Sequence, residues 1–396
     1  MEKIRVCLWA TTLQANIFSF ARYLAGQSDF ETVVVTENVA EYKKEPVNGF
    51  LPLNCPVLER DSWSTERFLK KFKADVTVVD NHYPKKKISE GILVLWHGFG
   101  WKGPENRQDF DTPFREVQKL TGISPDLPNP FFRWICAGPA NYDHRKNITG
   151  IAAENLRVEG QPYYDDIVNA KFDKDRLLEF YPGSFKGKKI ALLAFTWHYG
   201  KILSHWGEDI VIFDRLLSLF DELGIASIIR MHDRKRFEKN YLDQLAELAG
   251  KHESVLLKYK DENRDNLLDI QISDMMISNF SSIITYYYAS LKPSIHIYPV
   301  DRNSRESVYR VWKDGKVREK SSESADYIWS LPSDENGGLV VYSMEELFEA
   351  VKRSVQDPDC CKERSLNFMK KHLAPVDGKN CERIAGVLKE MVQRKG

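Results

Sequence analysis

Short runs of β-branched and aliphatic residues alternate with amphipathic stretches along the whole of this 396-residue chain. Such runs lack the polar-apolar alternation of a strand with one wet face, so they read as strands buried on both sides. Ile4–Leu8, Val33–Val35, Val76–Val79, Ile92–Trp96, Trp134–Ala137 and Leu156–Val158 are six of them, with helical patterns at Asn16–Leu24 and Ser64–Phe72 between. The segment YPGSFKGKK, residues 181–189, is punctuated by Pro and Gly and solvated by lysines, so it reads as a linker. The alternation then restarts. Ile190–Phe195, Ala226–Ile229, Val255–Leu257, Met275–Ile277, Ser294–Ile297 and Leu339–Val341 are strands, and Ile210–Leu223 is an amphipathic helix ending at Gly224. Residues 301–335 read as a polar, irregular excursion. Ser343 and Glu346 fit a capping box, and Asn380–Gln393 is helical in pattern. The expectation is an α/β chain with two parallel, doubly wound halves. Their bounds are 1–180 and 181–375, with a terminal helix in 376–396 packing back on the first half.

Composition removes several classes of function. Lys+Arg and Asp+Glu both number 57, which argues against a uniformly basic nucleic-acid binder. No stretch approaches about 18 uninterrupted apolar residues, so no membrane span is expected, and the amino terminus shows no secretory h-region. The six cysteines are scattered, without CxxC or zinc spacing, so reduced thiols and a cytoplasmic location are expected. The run GFGWKG, residues 98–103, resembles a GxGxxG or Walker A motif only superficially, and no DxD or clustered carboxylates stand out as a metal site, so the chemistry is expected to need neither metal nor resident cofactor.

In open α/β sheets ligands sit beyond the carboxyl ends of strands, and five such ends carry chemistry. After Leu95-Trp96 come His97, Gly98 and, in the same loop, Lys102. A neutral imidazole there can take a proton from a hydroxyl, while glycine admits close approach and the lysine meets a phosphate. Arg230 and His232 alternate at the end of one strand and so share a side of the chain, as two cationic donors for a phosphate. Ser278, Asn279, Ser281 and Ser282 form a polar turn before the apolar run Ile283–Leu291. They serve there as phosphate-binding groups, as helix caps, or as both. Gly160-Gln161-Pro162-Tyr163-Tyr164-Asp165 and Phe195-Thr196-Trp197-His198 are two further strand ends, each weak alone.

Taken in order, these segments resemble the CDP-glycerol:poly(glycerophosphate) glycerophosphotransferase family of teichoic-acid and capsule enzymes, whose fold is GT-B. Trp96-His97-Gly98, then Gly160, Pro162 and Asp165, then Thr196-Trp197, then Arg230 and His232, then Ser278, Ser281 and Ser282 match its motifs, and Asp377-Gly378 with Arg383 resembles its ending. Phe99-Gly100, Tyr163-Tyr164, Phe195, His198, Asp233, Asn279-Phe280 and Tyr286 depart from the pattern. These departures bear on which group is transferred more than on phosphate or nucleotide binding. The resemblance implies transfer of a polyol phosphate from a CDP-linked donor to a hydroxyl of a glycan or lipid-linked acceptor, at the inner membrane face, with peripheral contact. It implies His97 as general base and His232 as second catalytic group. Arg230, Ser278, Asn279, Ser281, Ser282 and Thr196 would stand on the donor side, and Gly98, Lys102 and Asp165 on the acceptor or supporting side. Two other readings stand beside it: a GT-B glycosyltransferase using a UDP- or CMP-sugar, and a non-catalytic nucleotide-binding GT-B-like subunit.

Overall fold

The computed structural model describes residues 2–96, 98–99, 107–196, 203, 206–279, 281–298, 307–313, 316–322, 331 and 334–393. The chain divides into two compact units. One takes in Met1–Phe99, Glu105–Ala170 and Met369–Gly396, and the other Lys171–Phe368.

In the first unit the order is β1 (Ile4–Trp9), α1 (Ala15–Ala25), β2 (Phe30–Thr36), α2 (Val39–Lys44), β3 (Val57–Glu59), α3 (Trp63–Phe72), β4 (Val76–Val79), β5 (Gly91–Val94), α4 (Asp111–Thr121), β6 (Phe132–Cys136), α5 (Pro139–Asn147), β7 (Leu156–Val158) and α6 (Tyr163–Asn169). The strands form one sheet in the order β3-β2-β1-β4-β5-β6-β7, with every pair parallel. Every residue of β4, β5 and β6 is buried. That is the physical reason their sequences run apolar without alternation.

The second unit opens with α7 (Lys174–Leu178) and continues through β8 (Lys189–Ala194), α8 (Asp209–Leu223), β9 (Ile225–Met231), α9 (Lys239–Gly250), β10 (Val255–Tyr259), α10 (Leu267–Ile272), β11 (Met275–Ser278), α11 (Ile283–Tyr288), β12 (Ser294–Ile297), β13 (Ser307–Lys313), β14 (Lys316–Ser322), β15 (Leu339–Val341), α12 (Met344–Gln356) and α13 (Lys362–His372). Its sheet runs β10-β9-β8-β11-β12-β15, again parallel. Both sheets thus reverse their winding at one place, between β1 and β4 in the first and between β8 and β11 in the second. Those reversals are where open α/β sheets leave a crevice for ligands.

One expectation changes. Within the stretch read as irregular, β13 and β14 pair as an antiparallel ribbon, from Ser307 opposite Ser322 to Lys313 opposite Lys316. The sequence carries a signal for it: Asp314-Gly315 follows the run Val308-Tyr309-Arg310-Val311-Trp312 and precedes Val317. The polar residues that also populate those runs masked it.

The last helix, α14 (Asn380–Gln393), belongs to the first unit and buries Ile384, Leu388 and Met391. Asp165 on α6 receives its first N–H groups: Oδ1 accepts from Asn380 N at 2.9 Å and Oδ2 from Cys381 N at 2.7 Å. The side chain of Asn380 in turn donates to the Gln161 carbonyl at 2.9 Å. Gly160, at φ +80°, lies against that amide so closely that a Cβ would come within 2.8 Å of it. Asp165→Ala leaves two buried N–H groups without their carboxylate, and is expected to lower unfolding free energy by about 2 kcal/mol. Urea unfolding checks this; an unchanged midpoint would mean that the apolar face of α14 docks the helix by itself.

Candidate active site

In the second unit three motifs meet at the carboxyl edge of one sheet. Ala194 at the end of β8 is level with Arg230 on β9, and Leu193 is level with Ile277 on β11. One step further along the strands, Arg230, Ala194 and Ser278 form a row. His232 and Thr196 extend it by two residues on β9 and β8.

The edge is closed by side chains. Ser278 Oγ donates to the Ala194 carbonyl at 2.6 Å. Asn279 Oδ1 accepts from Thr196 N at 2.8 Å, and its Nδ2 donates to the Thr196 carbonyl at 3.3 Å. Both residues are buried. Behind them His296 Nδ1 lies 3.3 Å from the Asn279 carbonyl, and His296 Nε2 contacts the Tyr288 hydroxyl. A carbonyl only accepts, so Nδ1 carries the proton and Nε2 accepts from the tyrosine. Burial lowers this imidazole to about 3, so it stays neutral. His296 went unremarked in the sequence because it stands inside an apolar strand, Ser-Ile-His-Ile.

Arg230 faces inward and is held. Its guanidinium donates to Asp269 Oδ2 at 2.7 Å and to the carbonyls of Asn263 and Arg264 at 2.5 and 3.1 Å. Lys258 Nζ and the Tyr181 hydroxyl both reach Asp269 Oδ1, at 2.7 and 2.6 Å. Burial pushes the Asp269 carboxyl up, but Lys258 and Arg230 outweigh it and hold the group below its ordinary value. The cluster fixes the loop after β10 to the end of β9.

His232 is half-buried beside it. Its Nδ1 accepts from Asp233 N at 2.8 Å. Asp233 Oδ2 lies 2.9 Å from the same nitrogen, ready to pair with the ring when it is protonated. Burial raises the Asp233 carboxyl, yet His232, Lys260 and Arg236 together hold it low. The hydroxyls of Ser281 and Ser282 stand half-buried at the start of α11, and neither side chain caps that helix. Ser281 Oγ has no protein partner among the described residues.

In the first unit the loop after β5 is pinned on both sides of residue 97. Asn16 Nδ2 donates to the Trp96 carbonyl at 3.4 Å, Gln161 Nε2 to that of Gly98 at 3.2 Å, and Asn141 Nδ2 to that of Phe99 at 2.8 Å. Gly98 adopts φ +73°, which glycine tolerates, and Trp96 adopts φ +56°, which a bulky residue rarely does. The Trp96 ring stacks 5.7 Å from Phe110 and lies 5.1 Å from Trp134, with the Arg145 guanidinium 4.3 Å from Phe110. That packing holds the strained turn. His97 and Lys102 themselves, like Trp197 and His198, lie outside the described residues. Asp165 is engaged with α14 as described above.

Against this geometry the chain matches the family model described as CDP-Glycerol:Poly(glycerophosphate) glycerophosphotransferase over residues 14–390. The chain belongs to this family. It is 23% identical over 329 residues to the teichoic acid ribitol-phosphate polymerase TarL of Staphylococcus aureus (strain NCTC 8325 / PS 47), covering 79% of this chain and 51% of that one. TarK of the same strain is equally similar, with 56% of its length covered. The chain therefore spans about half the length of the curated relatives it matches. A solved structure of the wall teichoic acid polymerase TagF superposes with a TM-score of 0.68 at 15% identity, covering 99% of this chain and 90% of that one. With two Rossmann-ordered sheets, this likeness places the chain in the α/β GT-B class.

The family's motifs do not include one cluster that the structure brings together. At the reversal of the first sheet, Thr11 follows β1, and Asp80, Asn81 and His82 follow β4. Thr11 Oγ1 lies 2.6 Å from His82 Nδ1 and 3.1 Å from Asp80 Oδ1, while Asn81 Oδ1 lies 2.9 Å from the same ring nitrogen. The signal in the sequence was a strand ending in Asp-Asn-His; its value depends on Thr11, 71 positions away from His82.

Asp269→Ala strands Arg230 and Lys258 as buried charges and is expected to cost about 3–5 kcal/mol of stability. A carboxyl whose folded pKa is depressed stabilises fully above its unfolded value, about 3.9, and less as pH falls through the folded value. Acid unfolding of the wild type below about pH 4, and a variant curve lacking that segment, are the expected outcomes in pH-dependent denaturation.

Proposed function

We propose that this chain transfers a polyol phosphate from a CDP-activated donor to a hydroxyl of a glycan or lipid-linked acceptor in cell-wall or capsule polymer synthesis. The observation that carries the reading is the match to the family over residues 14–390, with its motif residues grouped at strand ends of two Rossmann-ordered sheets. The first unit takes the acceptor and the second the donor. His97 accepts the proton of the acceptor hydroxyl as its oxygen attacks the distal phosphorus of the donor. The bond from that phosphorus to the bridging oxygen breaks, and CMP leaves. His232 donates to the phosphate that gains charge, as do the hydroxyls of Ser281 and Ser282; one preorganised donor of this kind is worth roughly 2.7–4 kcal/mol. Ser278 and Asn279 position the end of β8 and with it Thr196, and Arg230 positions His232, without touching the donor. The reaction needs no resident cofactor in this reading.

Among the described residues no helix is long and apolar enough to cross a membrane. A lipid-linked acceptor is then met by peripheral contact at the inner face of the membrane.

His97→Ala is expected to reduce transfer by about 10²–10⁴-fold, the usual worth of a general base, while CMP binding by calorimetry stays at the wild-type value. Equal loss of binding and transfer would remove His97 from the role of base.

A further inference from the structure

The carboxyl edge of the second sheet carries one half-buried ammonium that the fold does not neutralise. Lys260 stands one residue past β10, and its backbone N–H donates to the Met231 carbonyl at 3.1 Å. That bond continues the ladder of β9 and β10 and sets Lys260 beside His232, which stands one residue past β9. Tyr259 and Met231, the last level pair of the two strands, pack into the core. His232 and Lys260 therefore belong to the opposite face, which one row earlier carries Arg230 and Lys258.

The two rows differ in their charge. In the first, Asp269 takes both Arg230 and Lys258, at 2.7 Å each. In the second, Asp233 is the carboxylate nearest in effect to Lys260, but it lies 2.9 Å from His232 and pairs with Arg236 at 3.4 Å. Asp261 and Glu262, next along the chain, are both held by Arg234. The Lys260 ammonium itself has no hydrogen bond and no ion pair among the described residues. Burial lowers it from its ordinary value; Asp233 opposes the shift, and Arg236, Arg230 and Arg264 add to it. A cation withdrawn from water among other cations is costly until an anion joins it. Lys260 lies outside the segments that match the family's motifs, so no motif accounts for it.

A point charge beside an imidazole suits a phosphate oxygen. In the transfer described above, the acceptor oxygen bonds to the distal phosphorus and its proton passes to the base. The bond from that phosphorus to the bridging oxygen breaks, and the electron pair stays on the bridging oxygen. The proximal phosphate thus goes from one negative charge to two as CMP departs. We propose that Lys260 is a further catalytic residue, whose ammonium pairs with this leaving phosphate as its charge grows. It then holds the CMP dianion more strongly than the intact donor, which lowers the barrier and not merely the donor KM. The proposal rests on the transferase reading for the reaction, and on the uncompensated ammonium alone for the anion.

The test compares Lys260→Ala and Lys260→Arg with wild type. Lys251→Ala, which removes an exposed lysine paired with Glu247, controls for the loss of one charge. Calorimetric titration is expected to show CMP binding at least tenfold weaker in Lys260→Ala, with a smaller loss for the CDP-linked donor in the absence of acceptor. In turnover kcat falls at least tenfold while donor KM changes less, and Lys260→Arg recovers part of the loss. The unfolding midpoint of ligand-free Lys260→Ala equals or exceeds that of wild type, because a charge without a partner has been removed. CMP affinity and kcat as in wild type, or losses matched by Lys251→Ala, overturn the proposal and leave the transferase reading standing. A lowered midpoint in Lys260→Ala, with kcat per folded molecule retained, makes Lys260 a structural residue and overturns it as well. CMP binding weakened in Lys260→Ala alone, with no transfer by any form, supports the pairing with phosphate and removes the transferase reading instead.

Discussion

Where a parallel sheet ends, its last backbone groups have no further strand partner, and a buried unpaired N–H or carbonyl costs about 1–3 kcal/mol. In the second unit Ser278 and Asn279 answer that requirement between β8 and β11, the two strands at which the winding reverses. Asn279 matches both polar groups of Thr196 with both groups of its own amide. His296 then takes the Asn279 carbonyl, and Tyr288 takes the other side of His296. The position of Thr196 follows from this chain of hydrogen bonds.

The same economy explains Arg230. A buried guanidinium without fixed partners would be costly. Here Asp269 and two carbonyls satisfy it permanently. The charge is therefore a fixture of the fold, and in the proposed reading His232 and the serines ahead of α11 are the groups that meet the donor. In the first unit three side-chain amides hold the carbonyls of Trp96, Gly98 and Phe99.

Much of the architecture was legible because burial on both faces forces β-branched runs, and those runs survive in the sequence. The ribbon β13–β14 was hidden by its polar residues, although its Asp-Gly pair was in view. For the site, strand ends were easy to find and roles were not. A sequence shows an asparagine after a strand but not which backbone its amide faces, so Asn279 reads equally as cap or ligand. Asp165 reads as a motif residue, whereas its partners, Asn380 and Cys381, lie more than 200 positions away. The Thr11–Asp80–His82 cluster depends on strands 1 and 4 being neighbours, a fact of topology that no local pattern contains.

The nucleotide released during turnover tests the central claim most directly. The chain would be incubated with CDP-glycerol or CDP-ribitol and a short polyol-phosphate acceptor, and the products resolved by chromatography. Attack at the distal phosphorus predicts one CMP for each new phosphodiester. Release of CDP would mean cleavage at carbon, and would contradict phosphate transfer at this site.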